Sequence, residues 1–343
     1  MSLTSSRVTA DGYEEAFDYF YTQGMTDGLP IVPPTEERVA RMVAGSGRAS
    51  ADLVAKIPPH MGDATVEKIA VNAVMAGCLP EYMPVIIAAV EAMMEERFEL
   101  PGVQTTTNPV TPVLVINGPI RHKLKVNCGS GCMGPGWRAN ATIGRAIRLI
   151  LLNLGGAAPG DVDKATQGFP GKYTFCFGEN EEESPWPPLH VERGFKPEES
   201  CVTVIPVQSS VNFTIFDRYL AKEGLPVLVD TINDPATNHY NVHNGEPTLV
   251  FNPVHAEELA KAGYSKDDLK RYFHERCRYP LDKMVSHERE RRLTRPELIV
   301  DGMVPMVRRW EHWIIIVAGG HGGLHSTYLP GFGTRSVTRA IRV

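Results

Sequence analysis

Apolar side chains recur with helical spacing through the first hundred residues. Over residues 63–76 they fall three and four positions apart, which predicts a helix with one face in a core, ended by Gly77. Thr35 is a helix N-cap candidate, and Pro80 fits the opening turn of another apolar helix. We therefore expect residues 1–100 to form a helical N-terminal part.

The remaining residues, 101–343, show short apolar runs between helical segments. Strands are predicted at 113–117, 122–126, 173–177, 202–207, 227–230, 249–251 and 313–317, and helices at 139–154, 254–262 and 266–278. Strands that alternate with helices are typical of an α/β fold, so we expect a mixed or mostly parallel sheet flanked by helices. No internal repeat or linker stands out, and the prediction is one compact unit of two lobes.

Composition and charge narrow the functional classes. Of the 343 residues, 43% are hydrophobic and 22% are charged, as in an ordinary globular protein. The net charge of −5 gives no attraction to nucleic acid, and no stretch approaches the roughly 18 apolar residues of a membrane span. With no secretory segment at the N-terminus, we expect a cytoplasmic protein that binds a small-molecule substrate rather than nucleic acid or membrane. A homo-oligomer is possible, and the sequence leaves the oligomeric state open.

The loop NCGSGCMGPG at 127–136 carries the strongest chemical signal. Cys128 and Cys132 are separated only by Gly-Ser-Gly, a spacer flexible enough to bring the two sulfurs to disulfide distance. A helix start follows the loop, and its dipole together with Arg138 would favour a thiolate. The pair is therefore the candidate catalytic centre, and the alternative is two packed thiols. Candidate substrate contacts beside it are Ser130, Gly131, Arg138 and Asn140.

The same loop matches a dinucleotide-binding pattern, with glycines at 129, 131 and 134. However, Pro135 and Gly136 follow where a helix is required, and no acidic residue ends a strand about 20 positions later. The prediction is a glycine-rich loop whose N–H groups hold a carboxylate, a phosphate or a developing oxyanion. No motif indicates an organic cofactor.

A second glycine-rich loop, AGGHGGLHS, follows the last predicted strand. His321 is a candidate general acid/base, and His325 is a candidate substrate contact. Cys128, Cys132, His321 and His325 are also zinc-type ligands, so a bound metal ion is an open alternative if the two loops meet.

Two further residues are candidates because of their position. Cys78 lies at a helix start and is a third candidate catalytic thiol, the alternative being a buried thiol. Glu179 follows the strand predicted at 173–177, where substrate contacts often lie, although the acidic run 179–183 also suits a solvated turn. The other cysteines, Cys176, Cys201 and Cys277, fit core positions.

Three stretches carry a family resemblance: TDGLPIVPPTEERV at 26–39, AVNAVMAGCLPEYMPVIIAAVEAM at 70–93 and GPGWRANATIGRAIRLILLNLGG at 134–156. They resemble bacterial proteins of the UGSC-type (seleno)protein family, loosely described as thiol-disulfide oxidoreductases. The resemblance implies a soluble bacterial enzyme with cysteine or selenocysteine chemistry, without fixing its reaction. The nearest match to the family's motif here is Cys128-Gly-Ser-Gly-Cys132, which has an added glycine.

Three functional hypotheses follow. The first is an enzyme that acts on a small polar or anionic substrate through the Cys128/Cys132 pair, one thiolate attacking and the other resolving the adduct. The second is a hydrolase or lyase with one cysteine nucleophile and His321 as its base, or with a metal ion assisting. The third is a small-molecule or metal-binding protein without turnover.

Overall fold

The computed structural model describes residues 3–241 and 245–342 of the chain. The helices are α1 (Tyr13–Thr22), α2 (Glu36–Gly45), α3 (Val66–Ala76), α4 (Met83–Met93), α5 (Leu100–Thr105), α6 (Ile120–Leu124), α7 (Arg138–Asn153), α8 (Leu189–Glu192), α9 (Asp217–Tyr219), α10 (Leu225–Ile232), α11 (Asn238–Asn241), α12 (Pro253–Lys261), α13 (Lys266–Arg276) and α14 (Ser286–Leu293). The strands are β1 (Leu53–Ile57), β2 (Gly62–Thr65), β3 (Thr111–Asn117), β4 (Cys176–Gly178), β5 (Cys201–Val207), β6 (Val211–Thr214), β7 (Thr248–Phe251), β8 (Arg278–Pro280), β9 (Met303–Pro305), β10 (Ile314–Val317), β11 (His325–Leu329) and β12 (Val337–Ala340). The α/β class with a helical N-terminal part is confirmed.

Two four-stranded sheets form the centre of the fold. Their strand orders are β12-β5-β3-β4 and β6-β11-β7-β10. In each sheet the last two strands run parallel, and the other neighbours pair antiparallel. The remaining strands form two small antiparallel pairs, β1 with β2 and β8 with β9.

The two sheets are built from the same series of elements. In the first, β3 is followed by helices, then β4 and β5; in the second, β7 is followed by helices with the β8–β9 pair inserted among them, then β10 and β11. The fourth strands are exchanged, because β6 follows β5 but pairs with β11, whereas β12 follows β11 but pairs with β5. The fold therefore contains an internal duplication, and the expectation of no repeat was wrong. Its sequence trace is PVLVIN at 112–117 against PTLVFN at 247–252.

Alternate side chains on each strand face different layers. On β3, Leu114 and Ile116 pack with α3, α4 and α7, whereas Val113 and Val115 face the second sheet. On β10, Ile315 faces the helices α10, α12 and α13 on the far side. The layers therefore run helices, sheet, sheet, helices.

Two predicted strands are helices instead. Residues 122–124 of the segment predicted at 122–126 lie in α6, where Ile120, Arg121 and Leu124 are buried with helical spacing, and residues 125–126 follow the helix end. The segment 227–230 lies in α10, whose buried residues fall three and four apart, so tertiary burial overrides the β-branched composition. Within the described part of the chain, no helix is long and apolar enough to cross a membrane.

Helix α7 packs closely against the chain just before β4. A Cβ added at Gly144 would lie 2.4 Å from the hydroxyl oxygen of Thr174 and 2.7 Å from the backbone nitrogen of Phe175. Gly102 on α5 offers a matched control, because nothing lies within 4 Å of a Cβ added there.

We predict that Gly144→Ala lowers the free energy of unfolding by about 1–3 kcal/mol, because the added methyl group overpacks the contact of α7 with this segment. Gly102→Ala should be neutral or stabilising by up to about 1 kcal/mol through helix propensity. Urea denaturation of both variants measures this. Equal stabilities would show that α7 does not press on the chain before β4.

Candidate functional site

The two glycine-rich loops meet at the ends of the sheets. The first follows α6 in one half of the duplication, and the second joins β10 to β11 in the other. The backbone N–H of Gly319 donates to the carbonyl oxygen of Cys128 at 2.8 Å. A Cβ added at Gly320 would lie 2.9 Å from the Cβ of Ser130, so only glycine allows this approach.

A cavity of about 410 Å³ opens between these loops, a size suited to a small molecule. Its lining residues include two histidines and no Asp, Glu, Lys or Arg. The backbone N–H groups of Ser130, Gly131, Gly320 and His321 have no hydrogen-bond partner among the described residues. These donors suit an anionic group. The residues that line the cavity are Ser130, Gly131, Cys132, Met133, Gly134, Val250, Asn252, Ala318, Gly319, Gly320, His321, Gly322, His325, Ser326 and Thr327.

Asn140, in the first turn of α7, holds the cysteine loop in place. Its side-chain oxygen accepts from the backbone N–H of Asn127 at 2.8 Å. Its amide nitrogen donates to the carbonyl oxygens of Asn127 at 2.9 Å and Cys132 at 3.0 Å. Asn140 is buried and does not line the cavity. The prediction that it contacts a substrate is therefore wrong, and its role is to position the loop.

The two cysteines of the loop have different surroundings. Cys132 packs into the apolar layer between the sheets, and burial raises its pKa to about 12. Cys128 is half-buried, whereas the other five cysteines are buried. All six lie in the described part of the chain, and none is close enough to another to form a disulfide. The prediction that Cys128 and Cys132 lie close enough to form a disulfide is therefore wrong, because the core holds Cys132 in place.

Cys128 lies against a buried arginine that the sequence patterns missed. The Nη1 atom of Arg121 is 3.7 Å from its Sγ, and the Cβ of Cys128 packs closely on Gly178. Burial raises the pKa of the Cys128 thiol, and the guanidinium of Arg121 opposes this rise. The signal that could have identified Arg121 is its place directly after the buried strand β3.

Glu182 and Glu183 of the acidic segment 179–183 form an exposed turn, as the sequence predicts, and Glu181 and Glu182 also pair with Arg121. Glu182 bonds the guanidinium through both carboxylate oxygens, at 2.9 and 3.1 Å, and Glu181 pairs with it at 3.1 Å. The hydrogen bond from Arg121 lowers the pKa of Glu182 to about 2. Two carboxylates therefore share the cation with the Cys128 thiol.

Glu179 is a structural residue rather than a substrate contact. It is fully buried, and its carboxylate accepts from the side chain of Asn117 at 2.7 Å and from the backbone of Leu189 at 2.8 Å. The ammonium group of Lys266 lies 3.5 Å away and balances its charge. These bonds leave Glu179 inside the protein, which corrects its predicted role.

Both candidate histidines line the cavity. The Nε2 of His321 lies 2.7 Å from a carboxylate oxygen of Glu183, and this hydrogen bond lowers the pKa of Glu183. His325 belongs to β11, and its Nδ1 lies 3.3 Å from the side-chain amide of Asn212 and 3.2 Å from the hydroxyl of Thr214.

Among residues 3–241 and 245–342, no group of three or more His, Cys, Asp or Glu side chains is placed to hold a metal ion. The four zinc-type residues considered from the sequence therefore do not come together as a ligand set. They are Cys128, Cys132, His321 and His325.

Arg138 and Cys78 lie together, apart from the cavity. The guanidinium of Arg138 donates twice to the carbonyl oxygen of Gly77, at 2.9 and 3.0 Å, so the prediction that it reaches the cysteine loop is wrong. The thiol of Cys78 donates to the carbonyl oxygen of Thr142, and burial raises its pKa to about 12. This environment does not favour a reactive thiol.

We predict that Asn140→Asp exposes Cys132 to alkylation, because a buried carboxylate would face two carbonyl oxygens and release the loop. The labelling rate with N-ethylmaleimide, measured by peptide mass spectrometry, should rise several-fold at Cys132 and stay low at Cys201. Asn153→Asp, at the other end of α7, is the control. An unchanged rate at Cys132 would show that Asn140 does not hold the loop.

Comparison of the chain with family models, with curated proteins and with solved structures gives no significant match. The resemblance to the UGSC-type family stays an expectation, and the chemistry of the site rests on its geometry.

Proposed function

We propose that the protein is an enzyme that acts on a small polar or anionic molecule held between the two glycine-rich loops, with Cys128 as its nucleophile. The observation that carries this proposal is the hydrogen bond from Gly319 to the carbonyl oxygen of Cys128. Through it, the backbone of the one cysteine that is not buried is joined to Gly319, which lines the cavity. Such donors stabilise an oxyanion that forms when a nucleophile attacks a carbonyl carbon.

The Cys128 thiol needs a base to remove its proton before it can act as a nucleophile. Because burial raises the pKa of the thiol despite Arg121, the resting group carries its proton at neutral pH. His321 lies two residues from Gly319, and the contact of its Nε2 with Glu183 orients the imidazole ring. We assign His321 as the group that accepts the thiol proton and returns it to the leaving group.

With an acyl substrate, the proposed reaction has two halves: acylation of Cys128 and hydrolysis of the thioester. A carbon–sulfur bond forms between the carbonyl carbon and Cys128 as the thiol proton passes to His321. The bond to the leaving group then breaks, and the leaving group takes the proton from His321. Water hydrolyses the thioester in the second half of the reaction. Free N–H groups of the loops, among them Gly131 and Gly320, stabilise the oxyanion in both halves.

A single thiol fits the arrangement better than a redox pair. A resolving cysteine must reach the first sulfur, yet no two cysteines lie at disulfide distance. Cys132 is also fixed in the core between the sheets. Thiol-disulfide exchange would therefore need the loop to leave this position.

We predict that charge changes around Cys128 move its alkylation in opposite directions. Glu182→Gln should lower the pKa of Cys128, because it removes a negative charge and frees Arg121, so iodoacetamide should react faster at pH 7.5. Arg121→Met should raise that pKa and slow the reaction. The rate at Cys128 against pH measures both effects.

Arg138→Met is the control, and its profile should match that of the native protein. If Arg121→Met does not fold, Glu182→Gln still tests the charge network. Glu182 is half exposed, so its substitution leaves the core intact. A Glu182→Gln variant that reacts more slowly than the native protein would contradict the proposed role of this charge network.

We predict that p-nitrophenyl acetate acetylates Cys128, with release of p-nitrophenolate before the thioester hydrolyses. Cys128→Ser should abolish the mass increase, and His321→Gln should slow it about 100-fold or more, the usual range for losing a general base. His287→Gln, an exposed histidine on α14, is the control. Acetylation elsewhere, or equal rates in the native and His321→Gln proteins, would contradict the mechanism and favour a binding protein without turnover.

A further inference from the structure

An exposed aromatic cluster lies just outside the cavity. Phe216 and Tyr219 are 55% and 43% exposed, although aromatic rings of this size are usually covered. The guanidinium carbon of Arg218 lies 5.9 Å from the centre of the Phe216 ring and 4.9 Å from that of Tyr219. We refer to Phe216, Arg218 and Tyr219 as the aromatic platform.

The platform continues the sheet edge that lines the cavity. Beyond the pairing of β6 with β11, the N–H of Ile215 donates to the carbonyl oxygen of Leu324 at 2.9 Å, and that of Asp217 donates to Gly323 at 3.0 Å. Phe216 therefore lies opposite Gly323, the neighbour in the chain of Gly322, which lines the cavity.

Strand alternation decides which way the Phe216 ring points. Phe213 packs into the helix-side core, and Ile215 packs against it, so Thr214 and Phe216 face the opposite side of the sheet. Thr214 bonds the ring of His325 on that side, and His325 lines the cavity. The platform and the cavity thus share one face.

The chain after the platform is held in an unusual conformation. Leu220–Gly224 is a π-helix, a rare form that recurs at functional sites. Leu220 is fully buried in the helix-side core, so it fixes Tyr219 at the surface.

The charges along this face favour an anion. No acidic residue lines the cavity, and Arg218 adds a cation at its rim. Two acids lie beside this face and are already bonded: Asp217 accepts from the N–H of Arg218 at 2.7 Å, and Glu183 bonds the ring of His321 at 2.7 Å. Because the Nδ1 of His325 is bonded to Thr214 and Asn212, its Nε2 is the ring nitrogen available to a ligand.

We infer that the substrate is a small carboxylate that carries an aromatic or other planar unsaturated group. The carboxylate lies between the glycine-rich loops, and the planar group stacks on the aromatic platform, where Arg218 and the two rings favour a π-system. This inference rests on the proposed function only in taking the cavity as the substrate site.

Isothermal titration calorimetry with three probes tests it: 3-phenylpropanoate, 3-cyclohexylpropanoate and 3-phenyl-1-propanol. The native protein should bind 3-phenylpropanoate about three- to tenfold more tightly than the cyclohexyl analogue, the preference expected of aromatic contacts. The neutral alcohol should bind more weakly than either carboxylate. Phe216→Leu and Tyr219→Leu should each reduce the aromatic preference, whereas Tyr21→Leu, an exposed tyrosine on α1, should not.

Several results would overturn the inference: no saturable binding of 3-phenylpropanoate, equal affinity for the phenyl and cyclohexyl acids, or a preference that survives both platform substitutions. Cys128→Ser separates this inference from the proposed function, because Cys128 does not line the cavity and the variant should keep the probe preference. A preference that persists while p-nitrophenyl acetate leaves Cys128 unmodified would support the platform and contradict the thiol mechanism.

Discussion

The apolar layer between the two sheets is the interaction on which the site depends. Val115 of the first sheet and Val250 and Ile316 of the second pack in this layer. The exchange of β6 and β12 joins the sheets near the starts of β3 and β7, where Val207 and Gly331 also form a bridge. The loops that follow the other ends of the strands therefore meet, and glycines let their backbones approach to hydrogen-bond distance.

The buried guanidinium of Arg121 determines the charge environment of Cys128, beside the point where the two loops meet. Arg121 is shared among Glu181, Glu182 and the Cys128 thiol, so the sulfur competes with two carboxylates for the same guanidinium. Burial consequently keeps the thiol protonated, and in the proposed mechanism a base removes its proton before attack. Such an arrangement protects the cysteine in the absence of substrate, since the thiolate is the reactive form.

The sequence allowed the α/β class and six of the fourteen α-helices in the described residues to be predicted, because Thr35 caps α2 and apolar residues recur at helical spacing in helices such as α3. The duplication left only the P-x-L-V-x-N pattern at 112–117 and 247–252, too short to stand out without knowing that both segments are central strands. The roles of Arg121 and Asn140 depend on contacts between distant segments. No local periodicity encodes such contacts, and the sequence pattern points to Arg138 instead.

The two glycine-rich loops, one from each half of the duplication, form a single site only if they are in contact in solution. Ser130→Cys and Gly320→Cys, combined in a background with Cys128→Ser and Cys132→Ser, test it by disulfide cross-linking under mild oxidation. The Cβ of Ser130 lies 2.9 Å from a Cβ added at Gly320, near enough for a disulfide after a small shift. We predict a rapid cross-link between positions 130 and 320 in the folded protein, and none when Ser130→Cys is paired with Gly102→Cys. A folded 130/320 variant that does not cross-link would contradict the account.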